Sequence, residues 1–212
     1  MKIIYTGGEG EIIEKKSRFI ATLRPVQTEA DAIAFIGEMK KKYWDARHNC
    51  SAFVIGDNQE ISRCSDDGEP SQTAGRPMLD VLLKEEIHNT AVVVTRYFGG
   101  VLLGTGGLVR AYQKAVQEGL KNSVILDIQP GQKLAIHTDY NGLGKIQYIL
   151  GKAKITVMEV EYTDQVVVYA MVPLESKEQI RKKITEGTNG AAMFEWQESV
   201  NFGVLEGEVI VC

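Results

Sequence analysis

Arg96-Tyr97-Phe98-Gly99-Gly100-Val101-Leu102-Leu103-Gly104-Thr105-Gly106-Gly107-Leu108-Val109-Arg110 is the stretch from which the rest of the chain can be placed. It leaves an apolar run, Ala91-Val92-Val93-Val94-Thr95, that reads as a buried strand, and it enters an amphipathic segment from Leu108 to Leu120 that reads as a helix. The connection holds glycines at 99, 100, 104, 106 and 107. Missing side chains let the backbone approach a ligand, and the free N–H groups and dipole of a helix start favour negative charge. The same glycines would also serve a tight turn against the sheet. Arg96 interrupts an otherwise apolar strand, which favours the anion site. Its expected members are Gly99, Gly100, Gly104, Thr105, Gly106 and Gly107, with Arg47, Arg76, Arg96 and Arg110 as charge partners.

The 212 residues are 44% hydrophobic and 25% charged, enough for one large or two small ordinary cores. No apolar run approaches a membrane span, and the start, MKIIYTGGEGEIIEKK, has no signal-peptide pattern, so a cytoplasmic protein is expected. Three cysteines without a CxxC pair fit a reducing compartment. The net charge of −4 provides no global basic field for nucleic acid. Residues up to Pro130 carry 16 basic and 17 acidic side chains, against 8 and 11 beyond it, so any phosphate contact is expected as a local cluster in the N-terminal half. The three histidines and three cysteines lack ligand spacing, so no metal is expected; neither GxxxxGK[ST] nor GxGxxG is completed, so no cofactor is.

Along the chain, residues 11–24 alternate loosely as a first strand, and Thr28-Glu29-Ala30-Asp31 starts a helix that runs into Lys40-Lys41-Lys42. A strand from Arg47 to Ile55 turns at Gly56-Asp57-Asn58-Gln59 and returns to Ser65. Alternation places Arg47, Asn49 and Ser51 on one face, with His48 and Cys50 on the other. The polar loop 65–75 is long for a bare connection. Its Asp66, Asp67 and Glu69 would bind a cation, act as acid and base, pair with Arg47 and Arg96, or form a solvated turn. His48 with Cys50 suggests a nucleophile pair, against which stands a buried structural cysteine. Gln129-Pro130-Gly131 reads as a linker between domains 1–130 and 131–212. Beyond it the order β-α-β-β-α-β is the ferredoxin-like pattern, with 203–212 extending the sheet.

The segment from Gly75 to Gly104 resembles the signature of the IMPACT/YigZ family. Gly75 precedes an apolar helix with Met78, Leu79 and Leu82, and a strand then ends in Arg96-Tyr97-Phe98-Gly99-Gly100, with Gly104 four residues on. Arg47-His48-Asn49-Cys50 and Asp66-Asp67-Gly68-Glu69-Pro70 look like further family blocks, while Gln72 stands where many members have a small residue. The resemblance implies an α+β protein. Its N-terminal domain would be like the second domain of a small-subunit ribosomal protein, a fold shared by domain IV of elongation factor G, and a ferredoxin-like domain would follow. Eukaryotic relatives restrain a translation-initiation-factor kinase by competing for its activator. They do so with an additional N-terminal domain that the resemblance does not reach, so that partner does not carry over.

Two functions follow. The first is a translation-associated regulatory binding module, without catalysis, that contacts RNA phosphates or the ribosome through the four arginines and the glycine connection. Tyr97 or Phe98 would stack on bases, with His48, Asn49, Asp66, Asp67 and Glu69 around them. The second is an enzyme acting on a small phosphorylated or anionic ligand at the same loop.

Overall fold

A computed structural model describes all 212 residues as mixed α+β, in two compact units that divide between Leu126 and Asp127. In the first unit the strands are β1 (Lys2–Thr6), β2 (Glu9–Glu14), β3 (Ser17–Pro25), β4 (His48–Ile55), β5 (Ile61–Ser65), β6 (Ile87–His88), β7 (Thr90–Tyr97) and β8 (Val124–Asp127). Its helices are α1 (Glu29–Lys42), α2 (Gly75–Lys84) and α3 (Thr105–Lys121). The main sheet runs β2-β3-β7-β4-β5 and is antiparallel throughout; β6-β1-β8 form a smaller one.

β7 is the centre of this unit because it buries both faces. Val92 and Val94 pack under α2 and α3, whereas Ala91 and Val93 join Phe35 and Met39 of α1 on the other side. Alternation then places Arg96 at the end of the α2/α3 face, opposite Phe19 of β3 and His48 of β4. α1 starts at the expected capping box: Thr28 accepts from the Asp31 amide while the Asp31 carboxylate accepts from the Thr28 amide.

The single strand expected over 11–24 is instead the hairpin β2–β3. Lys15 and Lys16 both take positive φ, 44° and 65°, in a two-residue turn that carries no glycine or asparagine signal. Gln72, at the position where a small residue was expected, also has positive φ, 63°.

The second unit contains β9 (Gln129–Thr138), α4 (Tyr140–Lys152), β10 (Thr156–Tyr162), β11 (Val166–Pro173), α5 (Lys177–Gly187), β12 (Met193–Leu205) and β13 (Glu208–Val211). The sheet order β10-β11-β9-β12, antiparallel with two helices packed on its core, is the ferredoxin-like arrangement, and β13 extends it at β12. Gln129-Pro130-Gly131 is paired backbone at the start of β9, opposite Val200 to Phe202, rather than a linker. The glycine there is required by packing: a Cβ on Gly131 would enter the Phe202 ring. No helix is long and apolar enough to cross a membrane.

α3 crosses β2 so closely that a Cβ on Gly10 would overlap the Gly119 amide and the Glu118 carbonyl carbon. Backbone cannot give way as a side chain can. Gly10→Ala is expected to lower stability by about 2 kcal/mol, read as a reduced urea midpoint at unchanged slope.

Candidate functional site

The site is built on a buried ion pair. Arg96 enters from the end of β7 and is 6% exposed, with its guanidinium 5.3 Å from the Phe19 ring centre and 5.6 Å from that of Phe98. Its Nη1 donates to Glu69 Oε1 at 2.6 Å, and the Tyr112 hydroxyl of α3 donates to the same oxygen at 2.9 Å. The Cys50 thiol lies 3.3 Å from that hydroxyl and 3.0 Å from the Asp66 carbonyl oxygen. Burial pushes both the thiol and the Tyr112 phenol far up, so both stay protonated. Cys50 is therefore a structural neighbour of the network, and the nucleophile reading is set aside.

The loop 65–75 holds Glu69 in place. Asp66 Oδ1 accepts from the amides of Ala74 and Gly75, and Oδ2 from Gln72, so this carboxylate closes the loop onto the start of α2. Asp67 accepts from the Asn49 amide at 2.7 Å and from Lys40 Nζ at 2.6 Å. Burial pushes the Asp67 carboxyl up, but these two bonds outweigh it and hold the group below the usual carboxylate range. Neither acid is left for a cation, and no cluster of three or more His, Cys, Asp and Glu forms a metal-holding group. His48 Nδ1 lies 2.9 Å from the Asp67 carbonyl oxygen, and its Nε2 faces Glu69 at 3.9 Å.

Above this floor opens a cleft of about 610 Å³ lined by Arg47, His48, Glu69, Arg96, Phe98, Leu102, Leu103, Gly104 and Thr105, among others. Gly104, at φ 72°, turns the chain into α3 without a side-chain cap. The first intrahelical bond is made by the Leu108 amide to the Gly104 carbonyl, which leaves the N–H groups of Thr105, Gly106 and Gly107 without protein acceptors. Arg47 is exposed and forms no ion pair.

The structure thus brings together Arg47, His48, Glu69, Arg96, Phe98, Gly104 and Thr105; Gly106 follows in the first turn of α3, and Gly107 lines a neighbouring groove. Other expected members lie elsewhere. Arg76 pairs with Asp80 at 2.8 Å along α2. Arg110 lines a second groove, of about 240 Å³, with Lys15, Gly107 and Lys114. Tyr97 does not line the cleft; its hydroxyl donates to Asp45 at 2.9 Å. The Asn49 side chain is spent on the Tyr43 carbonyl and the Thr95 hydroxyl. Gly99 donates to Ser17 Oγ where a Cβ would strike the Lys16 backbone, and Gly100 serves a positive φ of 81°. Arg96 was expected as a phosphate contact; its charge is instead neutralised by Glu69, because a guanidinium buried without a counter-ion is too costly. Tyr112 was not among the expected site residues, although a tyrosine on the buried face of a helix must find a partner for its hydroxyl.

Residues 15–120 match the Impact N-terminal domain, and residues 136–191 match a domain of unknown function (DUF1949). The chain is 45% identical over 183 residues to the IMPACT family member YvyE of Bacillus subtilis, covering 86% of this chain and 84% of that one. It is 34% identical over 180 residues to the family member YigZ of Escherichia coli, covering 84% and 88%. The Dictyostelium discoideum protein IMPACT homolog is 39% identical over 105 residues, which span 48% of this chain and 29% of that protein. A crystal structure of a hypothetical protein superposes with a TM-score of 0.58 at 32% identity, covering 93% and 97% of the two chains.

Removing one partner of the buried pair strands the other. Arg96→Ala is expected to cost about 3–5 kcal/mol in unfolding free energy, measured by urea denaturation, and so reports on folding rather than on binding. Asp67 behaves differently because its folded pKa is depressed. Its stabilisation is present above the unfolded value, about 3.9, and is lost as pH falls through the folded one. Wild type should exceed Asp67→Asn in stability near neutrality, and the two urea midpoints should converge below about pH 4.

Proposed function

The chain belongs to the IMPACT family, and from that premise we propose that it is a translation-related regulatory binding module whose cleft in the first unit receives an RNA phosphate. The observation that carries this reading is the set of unpartnered amides of Thr105, Gly106 and Gly107, at the start of a 17-residue helix beside the unpaired Arg47. Main-chain N–H groups and the helix dipole attract an oxyanion without a basic surface, which suits a chain of net charge −4.

Two further features favour a polymer. Phe98, 43% exposed at the rim, offers a ring for base stacking. Leu103 borders both grooves, so Lys15, Arg110 and Lys114 stand along a path that continues from Arg47. A second reading, an enzyme acting on a small phosphorylated or anionic ligand, is favoured by the closed His48–Glu69 floor. A thermal-shift panel of nucleotides and phosphorylated metabolites addresses it: stabilisation by a compact member with no affinity for RNA would select it.

The test of the main reading is fluorescence anisotropy with a single-stranded RNA across a salt series. Binding should weaken as salt rises, and Arg47→Ala should reduce the logarithmic salt slope by about 0.7. Thr105→Pro removes one amide at a helix position that accepts proline, and should weaken binding without loss of fold. Absence of binding at low salt would overturn the reading.

A further inference from the structure

The floor of the cleft holds an acceptor that a bare phosphate would not use. The Glu69 side chain is 3% exposed, and both of its charged or hydroxyl donors, Arg96 and Tyr112, converge on Oε1. Oε2 receives no bond from the protein. Nor is it sealed, since the fully enclosed side-chain polar atoms without partners are Thr22 Oγ1 and Arg96 Nε alone. Oε2 is therefore an almost buried, unpartnered oxygen that opens on the cleft Glu69 lines.

His48 adds a second acceptor. The Asp67 carbonyl beside Nδ1 can only accept, so the neutral ring keeps its proton on Nδ1 and presents a lone pair at Nε2. At 3.9 Å from Glu69 Oε1, that nitrogen makes no hydrogen bond to the carboxylate.

One wall of the cleft, at Gly104 and Thr105, is the donating start of α3, and the floor accepts. An oxyanion alone satisfies the first and is repelled by the second. A ligand that carries a hydroxyl beside its phosphate satisfies both. In RNA the 2′-hydroxyl stands next to the 3′-phosphate, and DNA lacks it. We propose that the cleft selects ribonucleotide over deoxyribonucleotide chains, the start of α3 holding the phosphate while Glu69 Oε2 accepts the single proton of the adjoining 2′-hydroxyl and His48 Nε2 offers no competing donor. This rests on the phosphate reading above.

The experiment compares three single strands of one sequence on the full chain at fixed salt: RNA, DNA and 2′-O-methyl RNA. RNA should bind about tenfold more tightly than either of the others, the effect of one hydrogen bond to a charged acceptor. The methylated strand keeps the ribose pucker of RNA but removes the donor, so it separates hydroxyl recognition from backbone shape without any mutation. Glu69→Gln gives an independent arm. Arg96 and Tyr112 demand an acceptor, so the Gln carbonyl takes the Oε1 place and its NH₂ turns a donor into the cleft. The RNA-to-DNA ratio should then fall to about one. Equal binding of all three strands, or a preference that survives both the methyl group and Glu69→Gln, overturns the selectivity and leaves the phosphate reading standing. No binding of any strand overturns both.

Discussion

A single carboxylate oxygen ties the site together. Glu69 Oε1 accepts from Arg96 at the end of the central strand and from Tyr112 in the middle of α3, so strand, loop and helix meet at one buried atom. Neither donor would be stable there alone. A guanidinium beneath two aromatic rings needs a counter-ion, and a buried phenol needs an acceptor. The rest of the loop follows from this demand. Asp66 fastens one side of it to the start of α2, Asp67 fastens the other to β4 and α1, and Glu69 is thereby held where Arg96 requires it.

Because the floor is neutral as a pair, the proposed phosphate would rest on the rim. Its donors are mostly uncharged amides, whose orientation is set by the helix they begin. An acidic protein can present such a site without a basic patch, and the strength of the site depends on how closely a ligand reaches the backbone. The glycines of the connection from 99 to 107 divide the work. Gly99 allows close contact with the β2–β3 turn and Gly100 a positive φ, while Gly104, Gly106 and Gly107 open the helix start.

Where periodicity was strong the sequence was a good guide. The two-sided apolar run of β7, the capping box of α1, the amphipathic face of α3 and the β-α-β-β-α-β order of the second unit all appear as read. Where a turn is made by residues with no turn signature, reading failed: Lys15-Lys16 concealed a hairpin because alternation continues through a two-residue turn with little interruption. Pro130-Gly131 had the composition of a linker yet lies in a strand, since the glycine there makes room for an aromatic ring from β12.

For the site, the sequence by itself determined which chemistry was on offer: an arginine out of place in an apolar strand, a glycine-rich helix start and an acidic loop. These are local features, legible because each departs from the pattern around it. Only the tertiary structure decided how they are shared out. Of the four arginines read as charge partners of one site, one is buried and neutralised, one is paired along its own helix, one lines a neighbouring groove and one stands free at the rim. Charge is written in the residue type, but its availability depends on burial and on partners far away in sequence. Glu69 is 27 residues from Arg96 and 43 from Tyr112, separations that folding alone closes.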